Sequence, residues 1–178
     1  DTSGRDIRLG RMIGKGGEGV VYDIVSLDKF VAKIYHKPLS VDRATKIQIM
    51  SSYSNDAVKQ VSAWPFGLLL SKLDRSPIGL LMPKIADAKD IHKLYSPKSR
   101  LMDFKRADWR FLVRACANTA RAFGAIHNTG CIIGDINERS VLVSNDATVR
   151  LIDCDSFQVV SQSKRYLCEV GVETFTPP

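Results

Sequence analysis

The sequence predicts an α+β fold: a five-stranded sheet carrying one helix, followed by a second half organised around one long helix. Three observations predict it. Short β-branched and aromatic stretches flank a cluster of glycines within residues 7–35. Two more short apolar runs, GLLLSKL and PIGLLMPKI, follow Phe66 and are separated by a polar turn. From Trp109 onward the apolar period changes to that of a helix.

The first two strands are expected over residues 7–13 and 20–25, joined by GKGGEG at 14–19. In a dinucleotide-binding fold such glycines lead from a strand into a helix, with an acid further on. Here VVYDIV follows, whose residue types favour a strand, so the glycines cap a hairpin that can act as a lid. KFVAKIY at 29–35 alternates as a third strand, and HKPLS ends it with a proline. Ser40 is a good helix N-cap, and Val41, Ala44, Ile47 and Met50 mark the apolar side of the helix that follows. In the second half Trp109, Leu112, Val113, Cys116, Ala120, Phe123 and Ile126 form one helical stripe, which Gly130 ends. VLV at 141–143 and VRLID at 149–153 then flank the turn SNDA.

A chain of 178 residues with 44% hydrophobic and 25% charged content can bury a sizeable core. No apolar run reaches the ~20 residues of a membrane span. No signal-peptide pattern opens the chain, so a cytoplasmic protein is expected. Cys116, Cys131, Cys154 and Cys168 are widely spaced without a Cys-x-x-Cys pair, which fits reduced thiols better than zinc or disulfides. The formal charge of +7 comes from scattered lysines and arginines. Without a dense basic run or interleaved aromatics, it argues against direct nucleic-acid binding.

Lys33 is the first candidate for chemistry. An ammonium inside an apolar strand is costly unless something pairs with it, and behind a glycine hairpin it can reach phosphates. Asp135 lies in a polar loop after an apolar approach, and Asp153 ends the strand VRLID. Magnesium takes hard oxygen ligands, commonly one or two carboxylates with the substrate phosphates, which suits Asp153. Asp135 can accept the proton of an attacking hydroxyl. Each residue also has a plainer reading: glycines cap ordinary hairpins, lysines snorkel from edge strands, and loop acids cap turns.

Taken in order, these motifs resemble the eukaryotic-type protein kinase superfamily from about Ile7 to the last residue. Gly14, Gly16, Gly19 and Val21 match the glycine-rich loop, and Val31-Ala32-Lys33 the third-strand lysine. Asp135 stands in the place of the catalytic-loop aspartate, and Asp153 in that of the metal-binding aspartate of Asp-Phe-Gly. GVETFTPP at 171–178 resembles the end of an activation segment. More narrowly, GGEGVVY, GDIN and IDCDSF resemble the bacterial YegI-like and TerY-associated Ser/Thr kinases.

The resemblance implies a kinase-like fold: an antiparallel five-stranded N-lobe over residues 1–85 and a truncated, mainly helical C-lobe over 86–178. It implies ATP and magnesium as cofactors and a protein substrate, with von Willebrand A-type proteins and PP2C-like phosphatases as partners, and no membrane. It makes Met82 the gatekeeper, Pro83 the source of the hinge carbonyl and Ile85 the hinge N–H donor. The purine would lie between Ile13, Val21 and Ala32 on one side and Leu142 on the other.

Several positions depart from the family pattern. Gln48 stands near the place of the helix glutamate that pairs with the lysine, so Asp155, in Asp-Cys-Asp, is the expected source of negative charge for Lys33 or a metal. Ser140 replaces the asparagine that holds a second metal, and Gly134 the arginine before the catalytic aspartate. Asn137 stands in the place of a catalytic lysine and Val172 in that of its threonine partner, with Arg139 the nearest substitute cation. The helices that follow the Pro-Pro ending in kinases are not in this sequence, so a fragment of a longer bacterial signalling kinase is expected. A Ser/Thr protein kinase is the leading expectation. A nucleotide-binding pseudokinase scaffold and a small-molecule phosphotransferase are the alternatives, and the TFTPP ending argues against the last.

Overall fold

A computed structural model describes residues 4–53 and 55–171. The chain forms two compact units. The segment Asn55–Ala63 groups with the second unit although its neighbours on both sides belong to the first, and the second unit resumes at Ile85.

The first unit is built on a sheet of five strands: β1 (Leu9–Lys15), β2 (Gly19–Ile24), β3 (Phe30–Tyr35), β4 (Gly67–Leu70) and β5 (Pro77–Pro83). Their order is β1-β2-β3-β5-β4, and every neighbouring pair is antiparallel. Directly paired residues share a face, and side chains alternate along each strand. Lys33 pairs with Val21 and Leu80, and Val31 pairs with Met82, so these five residues lie on one face. Ala32 points the other way, into a cluster with Ile24, Leu69 and Leu81.

The helix α1 (Val41–Ser52) begins as expected, with the Ser40 hydroxyl accepting the Arg43 N–H at 3.2 Å. Ile47 and Met50 are fully buried, and Trp64 locks the far end by donating its indole N–H to the Met50 carbonyl at 2.9 Å. The expected apolar side is corrected at Val41, which is 82% exposed, while Lys46 is buried. Val41 is the first residue of the helix, and Lys46 lies one residue from Ile47 on the packed side.

The second unit contains α2 (Asp56–Val61), β6 (Ala88–Asp90), α3 (His92–Tyr95), α4 (Pro97–Asp103) and α5 (Trp109–His127). After these come β7 (Val141–Ser144), β8 (Val149–Leu151), a tight 3-10 turn over Cys154–Ser156, β9 (Val159–Ser161) and β10 (Lys164–Tyr166). β6, β7 and β8 form a three-stranded antiparallel sheet, and β9 pairs with β10. Asp108 caps α5 through the Phe111 N–H at 2.8 Å, and the helix packs on α2 and β8.

The buried face of α5 differs from the expected stripe. Ala115, Ala122 and Ile126 are its buried residues, whereas Trp109 is 75% exposed and Cys116 and Ala120 are also exposed. Ile126 of the expected stripe is fully buried and Leu112 and Phe123 are half-buried, so the packed side keeps that part of the stripe and adds the small side chains of Ala115 and Ala122. The four cysteines are free thiols; Cys131 and Cys154 are buried and Cys116 is exposed. Among the described residues, no helix is long and apolar enough to cross a membrane.

Candidate active site

The glycine turn is tied down. Lys15 pairs with Val20, and the Gly16 N–H donates to the Gly19 carbonyl at 2.9 Å, which closes the hairpin. The N–H of His36 donates to the Glu18 carbonyl at 2.9 Å, and its ring Nε2 lies 3.1 Å from the Gly16 carbonyl. Gly19 is required by close approach, since a Cβ there would collide with the Ile34 carbonyl and lie 3.2 Å from the Tyr35 Cα. At Gly14 and Gly17 a Cβ would meet nothing within 4 Å among the described residues. Neither has positive φ, so the fold itself does not demand glycine there.

Lys33 is 6% exposed. Its Nζ lies 3.9 Å from Glu18 Oε2 and 5.5 Å from the centre of the Tyr35 ring. Glu18 Oε1 accepts from Arg43 Nη2 at 2.6 Å, and the Arg43 guanidinium stands 4.7 Å from the centre of the same ring. Gln48 is exposed. Within the first unit the glycine turn thus brings a carboxylate to Lys33, accompanied by a cation from α1. Met82 is buried and Val21 half-buried on the face of Lys33, while Ile13 is 41% exposed. Pro83 pairs with Phe30 at the end of β5, where a strand can dispense with an N–H, and the next N–H, of Lys84, donates to the Lys29 carbonyl at 2.9 Å.

In the second unit two segments are stitched together. The Ser156 hydroxyl lies 2.7 Å from the Asp153 carbonyl and 3.2 Å from the Gly134 carbonyl. The Ile152 N–H donates to the Ser140 carbonyl at 2.9 Å. These contacts bring the loop of Asp135 beside the turn that starts at Asp153. Both aspartates have left-handed backbones, with φ of 48° and 55°. Aspartate tolerates that region better than most residues, and such conformations concentrate at functional sites.

Ser140 is buried and its hydroxyl closes the loop, accepting the Asn137 N–H and donating to the Asn137 carbonyl, each at 2.9 Å. One lone pair of that oxygen remains for a cation. The Asn137 amide donates to the Asp135 carbonyl at 3.0 Å, and its oxygen accepts the Arg139 N–H at 2.9 Å. Asp155 is 2% exposed, inside the 3-10 turn. Leu142 lies half-buried on β7, on the opposite face from the buried Val141 and Val143. Among the described residues no three His, Cys, Asp or Glu side chains gather to hold a metal. A magnesium ion shared with phosphates needs fewer, since one or two carboxylates suffice.

Gly134 has a packing explanation. A Cβ there would stand 2.5 Å from the Cys168 Cβ and Sγ and 2.9 Å from the Ser156 carbonyl. The position expected to carry arginine has no room for a side chain. Val172 and the TFTPP ending lie outside the described residues.

Sequence reasoning named Val31 only within the third-strand motif, without a purine-facing role, and did not single out Glu18, Arg43 or Ser156. Period-two alternation from Lys33 would have found Val31, and Glu18 is the one acid in the glycine run. Nothing in the sequence links Arg43 to it or Ser156 to the Asp135 loop.

No protein-family model matches the chain. Over 177 residues, 99% of its length, it is 40% identical to Protein kinase YegI of Escherichia coli strain K12. Its identity to Protein kinase YegI of Escherichia coli O157:H7 is 39% over the same length. The chain spans 27% of the length of each of these relatives. The likeness to YegI-like kinases read from the motifs thus extends along essentially the whole chain, and the α+β fold with its five-stranded antiparallel sheet agrees with it.

Proposed function

We propose that the chain is part of an ATP- and magnesium-dependent protein kinase that transfers the γ-phosphoryl group to serine or threonine hydroxyls. The observation that carries the reading is the face of the first sheet. A buried ammonium, Lys33, stands there with Val21, Val31 and Met82, next to a hairpin whose Gly14 and Gly17 leave room that the described residues do not fill. An apolar surface adjoining a cation suits a purine joined to phosphates. Val31 takes the purine-facing role that the resemblance gave to Ala32, because Ala32 lies on the other side of the sheet.

Lys33 neutralises the α and β phosphates. Asp153, with the remaining lone pair of Ser140, would hold magnesium, which would supply positive charge beside the phosphates. Asp135 orients the acceptor hydroxyl and takes its proton, while Asn137 fixes the Asp135 backbone from within the loop. Ile13, Gly14, Gly16, Gly19 and Leu142 border the nucleotide, and Pro83 and Ile85 serve as the hinge. Asp155 supplies further negative charge near the metal. A von Willebrand A-type protein and a PP2C-like phosphatase are the partners to try first, and the protein acts in the cytoplasm.

The test incubates the full-length protein with labelled ATP, magnesium and these partners, beside Asp135→Asn and Asp153→Ala. Losing the general base is expected to lower transfer by about 10² to 10⁴. Transfer that survives both substitutions contradicts the reading. The scaffold alternative draws on Ser140, whose hydroxyl makes two loop hydrogen bonds and keeps only one lone pair for a metal, and predicts ATP binding with no transfer.

A further inference from the structure

Glu18 holds a position that the nucleotide reading gives to a phosphate. Its two carboxylate oxygens bridge two cations, Oε1 to Arg43 at 2.6 Å and Oε2 to Lys33 at 3.9 Å. The bridge is shielded: the side chains of Lys33, Arg43 and Glu18 are 7%, 27% and 29% exposed. Both cations lean on the Tyr35 ring, and the Ser40 cap fixes the first turn of α1 beneath Arg43. Glu18 belongs to the glycine turn, so the bridge fastens that turn to β3 and α1.

We propose that Glu18 is a built-in stand-in for phosphate: it latches the glycine turn onto Lys33 and Arg43, and a polyphosphate displaces it and takes Arg43 as a second ligand. The proposal rests on the nucleotide reading of Lys33. A triphosphate carries several negative charges against one on Glu18, and arginine's planar fork matches a phosphate edge as well as a carboxylate. Lys33 and Arg43 cannot serve the carboxylate and the polyphosphate fully at once, and like charges repel across so short a distance. The family's helix glutamate has no counterpart on the buried side of α1, which offers cations instead. Glu18 brings negative charge to Lys33 from the turn, and that charge can leave with the turn.

The test measures ATP and inorganic tripolyphosphate binding to the full-length protein by calorimetry, with amide hydrogen exchange at Gly16–Gly19 followed without ligand. Glu18→Gln is expected to tighten both ligands by roughly tenfold and Arg43→Gln to weaken both by a similar factor, with Arg43→Lys in between. Both Glu18→Gln and Arg43→Gln are expected to speed exchange in the turn. Unchanged or weaker binding in Glu18→Gln overturns the latch, as does unchanged binding in Arg43→Gln. Lys33→Met separates the two layers. If it leaves ATP binding unaltered, the nucleotide reading falls, while the exchange data still decide whether Glu18 fastens the turn.

Discussion

At Gly134 the departure from the kinase pattern is a matter of space. Cys168 and the Ser156 carbonyl fill the volume that a side chain would need, so even Gly134→Ala is expected to lower stability by about 1–3 kcal/mol, and Gly134→Arg by more. Urea-unfolding midpoints check this. Ser140 is the second residue whose local role is specific. Ser140→Ala leaves the part-buried Asn137 N–H without its acceptor, at a cost of about 1 kcal/mol, read from the same unfolding curves. The missing arginine was visible in the sequence, but its cause was not, because Cys168 is distant along the chain and only folding brings it near. Lys33 was legible for the opposite reason: a charge in an apolar run stands out from residue types alone. Its Glu18 neighbour was not, since that pairing depends on the conformation of the glycine turn.

Among the elements, the β7–β8 turn makes a sharp pH prediction. The Ser144 hydroxyl donates to Asp146 at 2.7 Å and the Thr148 N–H at 2.9 Å, which lowers the Asp146 carboxyl from the ordinary 3.8 to about 2. A depressed carboxyl stabilises the fold above its unfolded value, and that contribution disappears as pH falls from about 3.8 through about 2. An NMR titration should place the Asp146 midpoint near 2, and Ser144→Ala should move it back toward 3.8. The helix caps allow a second check at this scale. Ser40→Ala is expected to cost about 1 kcal/mol in thermal or urea unfolding, by removing the acceptor of the Arg43 N–H. Strands β1 to β5 and both long helices were legible because period and capping chemistry mark them locally. The short helices α2, α3 and α4 escaped, as one or two turns carry too little periodicity to stand out. On α5 the expected stripe holds at Ile126 but not at Trp109 or Cys116, because the packed face also runs through Ala115 and Ala122.

For the whole molecule, two compact units carry the candidate residues: Lys33 and the glycine turn in the first, Asp135, Asp153 and Ser140 in the second. Motif order along the chain made this division of labour legible, since each motif is short and local. The register that turns Val31 toward Lys33 and Ala32 away from it is set by strand pairing, and emerged only with the sheet. The chain spans 27% of its curated relatives, so measurements on function belong to the full-length protein. The most direct one is a calorimetric titration with ATP and magnesium of the wild type, Lys33→Met and Asp153→Ala. Saturable one-site binding is expected, weakened by about tenfold or more by each substitution. No binding by the wild type, or binding untouched by either substitution, would contradict the nucleotide reading.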